Sequence, residues 1–177
     1  MILFSIGHST RSLDDFVALL RAHGVTQLAD IRTVPKSRRH PHFWREALSQ
    51  SLPAAGIAYR HMGGLGGLRK PRADSTNTGW RHPSFRGYAD YMETPEFARA
   101  LDELMEWAGE SGPTGATAVM CAEAVWWQCH RQLIADALVA RGVEVRHIMS
   151  AASAPAHSLT DFSRVDRDLR VSYPGLI

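Results

Sequence analysis

The sequence predicts a single α/β domain built on a mostly parallel five-stranded sheet with helices on both faces. Two observations lead to this prediction. Five short apolar segments alternate with segments whose apolar residues recur at helical spacing, which is typical of parallel strands joined by right-handed crossovers. The chain has 177 residues, of which 45% are hydrophobic, enough for the core of one domain but not of two.

The predicted strands are short apolar runs bounded by glycine, proline or polar residues. They lie at residues 2–6, 25–31, 57–59, 117–121 and 143–149. The predicted helices have apolar residues three or four positions apart. They lie between Ser12 and Gly24, at 42–54, at 85–93, between Thr94 and Gly112, and at 126–141. Such a succession is typical of Rossmann-like and flavodoxin-like folds.

Capping signals support two of these helices. Ser12 is a favoured N-cap residue, and Asp15 stands three positions later, as in a capping box. Gly24 follows the last apolar residue, where glycine commonly ends a helix. Thr94 and Pro95 begin the fourth helix, because proline is favoured in the first helical turn.

Composition bounds the domain organisation and the compartment. No linker divides the chain, so we predict an α/β domain at residues 1–150 and a polar C-terminal tail at 151–177 without a role in the fold. The N-terminus lacks the features of a signal peptide, and no apolar run approaches the length of about 18 residues needed to span a membrane. We therefore expect a cytoplasmic protein that binds no membrane and has reduced cysteines.

Polar and reactive side chains follow the carboxyl ends of three predicted strands. They are His8, Asp30, Arg32, Ser37, Arg38, Cys121 and Glu123. Because ligands of open α/β sheets bind beyond the carboxyl ends of the strands, we predict that strands one, two and four end side by side at one functional site.

Cys121 is the predicted nucleophile of this site. It precedes a predicted helix, and a helix N-terminus together with His130 and Arg131 would stabilise its thiolate. His130 and Glu123 are candidate acid/base groups, and His8 and Asp30 are further catalytic candidates. The alternative is that Cys121 is a small buried apolar residue.

Cys129 has two interpretations from sequence. It lies four residues before Leu133 and would face the core, or it forms a redox pair with Cys121, although the spacing is not Cys-x-x-Cys. Zinc needs four ligands, and no tight pairing of cysteine and histidine supports such a site. We therefore expect no metal ion and no cofactor.

Two loops favour an anionic substrate. The net charge of +2 argues against a general nucleic-acid binder, but residues 36–45 combine basic and aromatic side chains. This composition is repeated by Trp80, Arg81, His82 and Arg86 in and just after a long loop at 63–82, which we expect to close over the site. The alternatives are a solvated basic face and a loop that packs permanently.

Several motifs together resemble one known family. They are Ser5-Ile6-Gly7-His8-Ser9-Thr10, Asp30-Ile31-Arg32 with Pro35 and Ser37-Arg38, Leu65-Gly66-Gly67, Cys121-Ala122-Glu123, and Cys129-His130-Arg131. The chain is similar over most of its length, as far as about Met149, to domain of unknown function family 488. The resemblance implies a prokaryotic α/β family without a settled activity, whose motif positions include these histidine, arginine and cysteine residues.

The leading hypothesis is a cysteine-dependent hydrolase or transferase that acts on a nucleotide or nucleic-acid-like substrate. Its anion-binding candidates are Arg32, Ser37, Arg38, Arg131 and Trp80. One alternative is a nucleic-acid-binding or repair-associated protein without catalysis. The other is a thiol redox sensor that uses Cys121 and Cys129.

Overall fold

The computed structural model describes residues 1–176 and contains one five-stranded, all-parallel sheet. Its strands are β1 (Ile2–Gly7), β2 (Val25–Asp30), β3 (Ala58–His61), β4 (Ala116–Cys121) and β5 (Glu144–His147). The helices are α1 (Leu13–Ala22), α2 (Arg45–Ala54), α3 (Pro83–Met92), α4 (Pro95–Gly109) and α5 (Arg131–Ala140). The predicted α/β fold class is confirmed.

The predicted caps of α1 and α4 are present. The Ser12 hydroxyl accepts a hydrogen bond from the Asp15 backbone N–H at 3.1 Å. The Thr94 hydroxyl accepts one from the Phe97 backbone N–H at 3.3 Å, and Pro95 occupies the first turn of α4. Each cap satisfies a backbone donor that has no partner within its helix.

Apolar side chains form a core on each face of the sheet. One core contains α1 and α2 residues, including Phe16, Leu20, Leu48 and Leu52. The other contains α4 and α5 residues, including Leu101, Leu104, Leu133 and Ile134. Helices therefore cover both faces of the sheet, as the near-continuous apolar strands predicted.

The strand order is β3-β2-β4-β1-β5, so β4 lies between β2 and β1. Gly7 at the end of β1 pairs with Cys121 at the end of β4. The chain after β4 then passes so close to β1 that only glycine fits at position 7. A Cβ there would overlap the Glu123 carbonyl oxygen. The prediction that strands one, two and four end side by side is confirmed.

The loop at 63–82 packs against α3. The Tyr88 hydroxyl donates to the Leu65 carbonyl at 2.7 Å. Asn77 is fully buried, and its side-chain amide donates to carboxylate oxygens of Asp90 and Glu93, at 2.8 Å in each case. These contacts favour a permanently packed loop over one that closes on a ligand.

The segment after Ser150 also packs on the domain, although the sequence analysis gave it no role in the fold. It contains a small antiparallel pair, β6 (Arg164–Val165) and β7 (Val171–Ser172). Val171 and Tyr173 are buried. Isolated buried residues of this kind produce no periodic pattern that sequence analysis can detect.

A buried chain of hydrogen bonds links this segment to the sheet. Ser5 of β1 contacts His147 of β5 at 2.6 Å, and His147 contacts His157 at 3.0 Å. His157 and the Tyr173 hydroxyl both bond to the Asp136 carboxylate of α5, at 2.9 and 2.7 Å. The chain thus runs without interruption from the Ser5 hydroxyl to the Asp136 carboxylate.

No helix within residues 1–176 is both long enough and apolar enough to cross a membrane.

Candidate active site

A cavity of about 680 Å³ opens at the carboxyl edge of the sheet, beside the ends of β1, β2 and β4. Most of the predicted site residues line it. Its polar lining includes His8, Arg32, Lys36, Ser37, Cys121, Glu123, Cys129 and His130. This volume falls within the range of small-molecule binding sites in proteins.

The two cysteines lie together on the cavity wall. Cys121 ends β4 and Cys129 lies two residues before α5, and both are free thiols. Both belong to the same buried cluster and line the same cavity. The structure therefore brings together two cysteines that are eight residues apart in the sequence.

Their surroundings make the two thiols unequal. Burial opposes ionisation of Cys129, but hydrogen bonds from Cys121 and His130, with the charges of His130 and Arg131, hold its pKa well below the ordinary value. The hydrogen bond to Cys129, followed by burial, raises the pKa of Cys121 well above its ordinary value. Of the two thiols, Cys129 therefore ionises more readily.

This arrangement reverses the expectation from sequence, which placed the thiolate on Cys121. The expected helix at 126–141 is divided into a 3-10 turn at Trp126–Gln128 and α5, which starts only at Arg131. The Arg131 backbone N–H at the start of α5 points to the Cys129 sulfur at 3.5 Å. The free amides of the helix N-terminus therefore stabilise Cys129.

The His130 ring is held between the Cys129 sulfur and a backbone carbonyl. Its Nδ1 lies 3.5 Å from Cys129 Sγ, and its Nε2 lies 3.3 Å from the Ile31 carbonyl oxygen at the end of β2. Both ring nitrogens therefore lie within hydrogen-bond distance of a partner, which fixes the orientation of the imidazole beside the sulfur.

Arg131 is a buried cation behind the two cysteines, with only 2% of its surface exposed. Its Nη2 donates to the Glu123 carbonyl at 2.6 Å, while its Nε has no hydrogen-bond partner. Within residues 1–176, no carboxylate lies within ion-pair distance of Arg131. A buried charge requires a counter-charge, and ionisation of Cys129, whose pKa the Arg131 charge helps to lower, would supply one.

Arg32 is fixed on the opposite wall. Its Nε and Nη2 donate to the two oxygens of the fully buried Asp30, at 2.8 and 2.6 Å. The Tyr59 hydroxyl donates to the same carboxylate at 2.6 Å. Asp30, proposed from sequence as a catalytic residue, therefore lies behind Arg32 and holds the guanidinium in place.

His8 is neutral at physiological pH. Burial lowers its pKa to about 4, and its Nδ1–H donates to the Ser9 carbonyl at 2.9 Å. Its Nε2 consequently accepts a hydrogen bond from Arg32 Nη1 at 3.3 Å. His8 thus orients Arg32 in the cavity rather than carrying charge itself.

A family model described as domain of unknown function DUF488 matches residues 12–138, more than two thirds of the chain. The chain belongs to the DUF488 family. The matched segment contains the motif residues from Asp30 to Arg131, whereas His8 lies just outside it. No curated protein and no solved structure matches the sequence significantly.

Three proposed substrate-binding residues of this DUF488 domain lie outside the cavity lining: Arg131, which is buried behind the cysteines, Arg38 and Trp80. Arg38 is exposed on the loop after β2 and does not line the cavity. The Trp80 ring packs against Phe85 and Phe162, each at a centroid distance of 4.9 Å. Trp80 therefore belongs to the packing of the loop at 63–82.

Sequence analysis missed the apolar rim of the cavity. Val34, Leu68 and Trp127 line it and are 59%, 83% and 48% exposed. The adjacent tryptophans Trp126 and Trp127 were a usable signal, because two successive helical residues rarely face the same core. Trp126 stacks on His147 at a centroid distance of 4.2 Å, which leaves Trp127 at the cavity.

Metal binding has no support from the geometry of this site. Among the residues that the structure describes, no three histidine, cysteine, aspartate or glutamate side chains are grouped so that they could hold an ion.

Proposed function

We propose that this DUF488 domain is a cysteine-dependent hydrolase or transferase in which Cys129 attacks an anionic substrate. The proposal rests on the position of the His130 ring on the cavity wall. Its Nδ1 lies 3.5 Å from Cys129 Sγ, and its Nε2 lies 3.3 Å from the Ile31 carbonyl oxygen. A thiolate is the reactive form of cysteine, and an adjacent imidazole is a common proton donor.

The proposed reaction has two steps. The Cys129 sulfur forms a bond to an acyl carbon or phosphorus atom, and the bond from that atom to the leaving group breaks. The leaving group takes the proton from His130 Nδ1. Neutral His130 then removes a proton from water or another acceptor, whose oxygen displaces the sulfur and restores the thiolate.

The cavity lining supports an anionic substrate with an apolar or planar part. Lys36 supplies an exposed positive charge, and Arg32, whose Nε and Nη2 are bonded to Asp30, offers its remaining Nη1 hydrogen to a carboxylate or phosphate. Trp127 at the rim offers a face on which a nucleobase can stack. A nucleotide or a nucleic-acid fragment satisfies both requirements.

Turnover of a panel of 4-nitrophenyl carboxylate, phosphate and nucleotide esters tests the proposal by release of 4-nitrophenolate. We expect Cys129→Ser to abolish turnover and His130→Asn to lower it by about a hundredfold or more. Cys121→Ser keeps a hydrogen-bond donor beside Cys129 and serves as the matched control. Turnover that survives in Cys129→Ser would contradict the proposal.

A second candidate function, nucleic-acid binding without catalysis, is favoured by an exposed surface that adjoins the cavity at Lys36. Exposed basic side chains surround Trp44, which is 39% exposed, on the segment after β2. They are Lys36, Arg38, Arg39 and Arg45. Oligonucleotide binding that weakens steeply with salt, and is unchanged by Cys129→Ser, would favour this function.

A further inference from the structure

Two free thiols share the cavity wall, and the catalytic proposal needs only one of them as a nucleophile. Cys121 and Cys129 are the only cysteines of the chain, and both line the cavity. Each is buried, at 3% and 4% exposure, both belong to one buried cluster, and each thiol shifts the pKa of the other. Two thiols on one cavity wall can react with each other as well as with a substrate.

We propose that Cys121 and Cys129 are a reversible dithiol–disulfide pair, in which a peroxide oxidises Cys129 and Cys121 resolves the product. This inference goes beyond the proposed catalysis and does not depend on it.

The first step forms a sulfenic acid. The Cys129 sulfur attacks one oxygen of hydrogen peroxide, the O–O bond breaks, and the departing hydroxide takes up a proton to become water. In the second step the Cys121 sulfur attacks the Cys129 sulfur. The S–S bond forms, the S–O bond breaks, and the oxygen leaves as a second water. The two cysteines together lose two electrons, which reduce the peroxide.

The backbone holds both cysteines in place for this reaction. The Cys121 carbonyl accepts a hydrogen bond from the His8 N–H at 2.9 Å, which fixes the end of β4 against β1. The Cys129 N–H donates to the Trp126 carbonyl at 3.2 Å. Because both backbone segments are fixed, we expect the S–S bond to form by movement of the two side chains.

The burial of the pair selects the oxidant. Hydrogen peroxide is close to water in size, so it enters the cavity and reaches sulfurs that are only 3% and 4% exposed. A bulky disulfide on another protein lacks that access. We therefore expect small peroxides to oxidise the pair much faster than protein disulfides do.

The disulfide also removes the negative charge beside Arg131. The buried guanidinium then has no carboxylate partner among residues 1–176 and no thiolate. An uncompensated buried charge destabilises the oxidised state relative to the dithiol. The disulfide is consequently readily reduced, which suits a reversible switch better than a structural cross-link.

The test treats the reduced full-length protein with hydrogen peroxide and then unfolds it in the presence of N-ethylmaleimide. We expect an intact mass lower by two hydrogen atoms, no maleimide addition, a cross-linked peptide joining positions 121 and 129, and reversal by dithiothreitol. In Cys121→Ser we expect a sulfenic acid on Cys129 that dimedone traps. In Cys129→Ser we expect thiol oxidation at least about tenfold slower than in the wild type.

Three outcomes would overturn the proposal. They are two maleimide adducts on the wild-type protein after peroxide, a disulfide between two copies of the chain, and equal oxidation rates in the two variants. These outcomes leave the turnover assay untouched, so failure of the redox proposal and failure of the catalytic proposal are distinguishable. Circular dichroism of each variant separates loss of reactivity from loss of folding.

Discussion

Two buried histidines make the free energy of unfolding depend on pH. Burial lowers the pKa of His8 from 6.5 to about 4. Burial, with the charges of His157 and Arg131, lowers the pKa of His147 from 6.5 to about 3. In the unfolded chain both histidines recover ordinary values near 6.5, so the unfolded state binds more protons below that pH.

These pKa values determine the direction in which the free energy of unfolding changes with pH. The stabilisation is fully present above about pH 6.5 and is lost as the pH falls toward the folded-state values. At about pH 5, each histidine is almost entirely protonated in the unfolded chain and mostly neutral in the folded one. This difference in proton binding lowers the free energy of unfolding by about 2 kcal/mol per histidine. The two together lower the free energy of unfolding by about 4 kcal/mol relative to about pH 7.5.

Urea unfolding followed by tryptophan fluorescence at the two pH values measures this difference. His147→Gln loses hydrogen bonds at both pH values, but its difference between them should be smaller than the wild-type difference by about 2 kcal/mol. His82→Gln, at an exposed position, is the control and should keep the wild-type difference. An unchanged difference in His147→Gln would refute the reasoning.

Three further predictions concern single side chains. Tyr173→Phe removes a buried hydrogen bond to Asp136 and should lower the free energy of unfolding by about 1–2 kcal/mol in urea titrations at constant pH. Trp127→Leu should weaken nucleotide binding measured by calorimetry and leave the melting temperature nearly unchanged, because Trp127 lines the cavity. Trp80→Leu should lower the melting temperature and leave nucleotide binding nearly unchanged, because Trp80 packs against Phe162 and does not line the cavity. Gly7→Ala should give a poorly folded protein by circular dichroism, because its Cβ would overlap a backbone carbonyl.

Local signals allowed most of the fold to be predicted from the sequence. Ser12 and Thr94 predicted the starts of α1 and α4, because a side-chain oxygen satisfies free backbone donors wherever a helix begins. The central strands β1, β2 and β4 were recognisable as apolar runs because most of their residues are buried. The edge of the sheet that carries the cavity followed from the parallel direction of the strands, whose carboxyl ends share one edge.

Features that depend on tertiary contacts were not predictable in this way. The start of α5 at Arg131 was missed because the turn at Trp126–Gln128 is held by stacking of Trp126 on a distant histidine. That shift of five residues exchanged the expected roles of the two cysteines. Trp80 matched a stacking composition, yet its neighbour Phe162 comes from the C-terminal segment, which had no recognisable pattern.

The position of β1 inside the sheet has a practical consequence for anyone who shortens the protein. The family match begins at residue 12 and ends at residue 138, so a fragment cut to those limits lacks β1 and β5. Strand β4 would then become an edge, with unpaired backbone groups along the side that normally contacts β1. Such a fragment would expose a template for intermolecular strand pairing, and aggregation would be mistaken for an absence of activity.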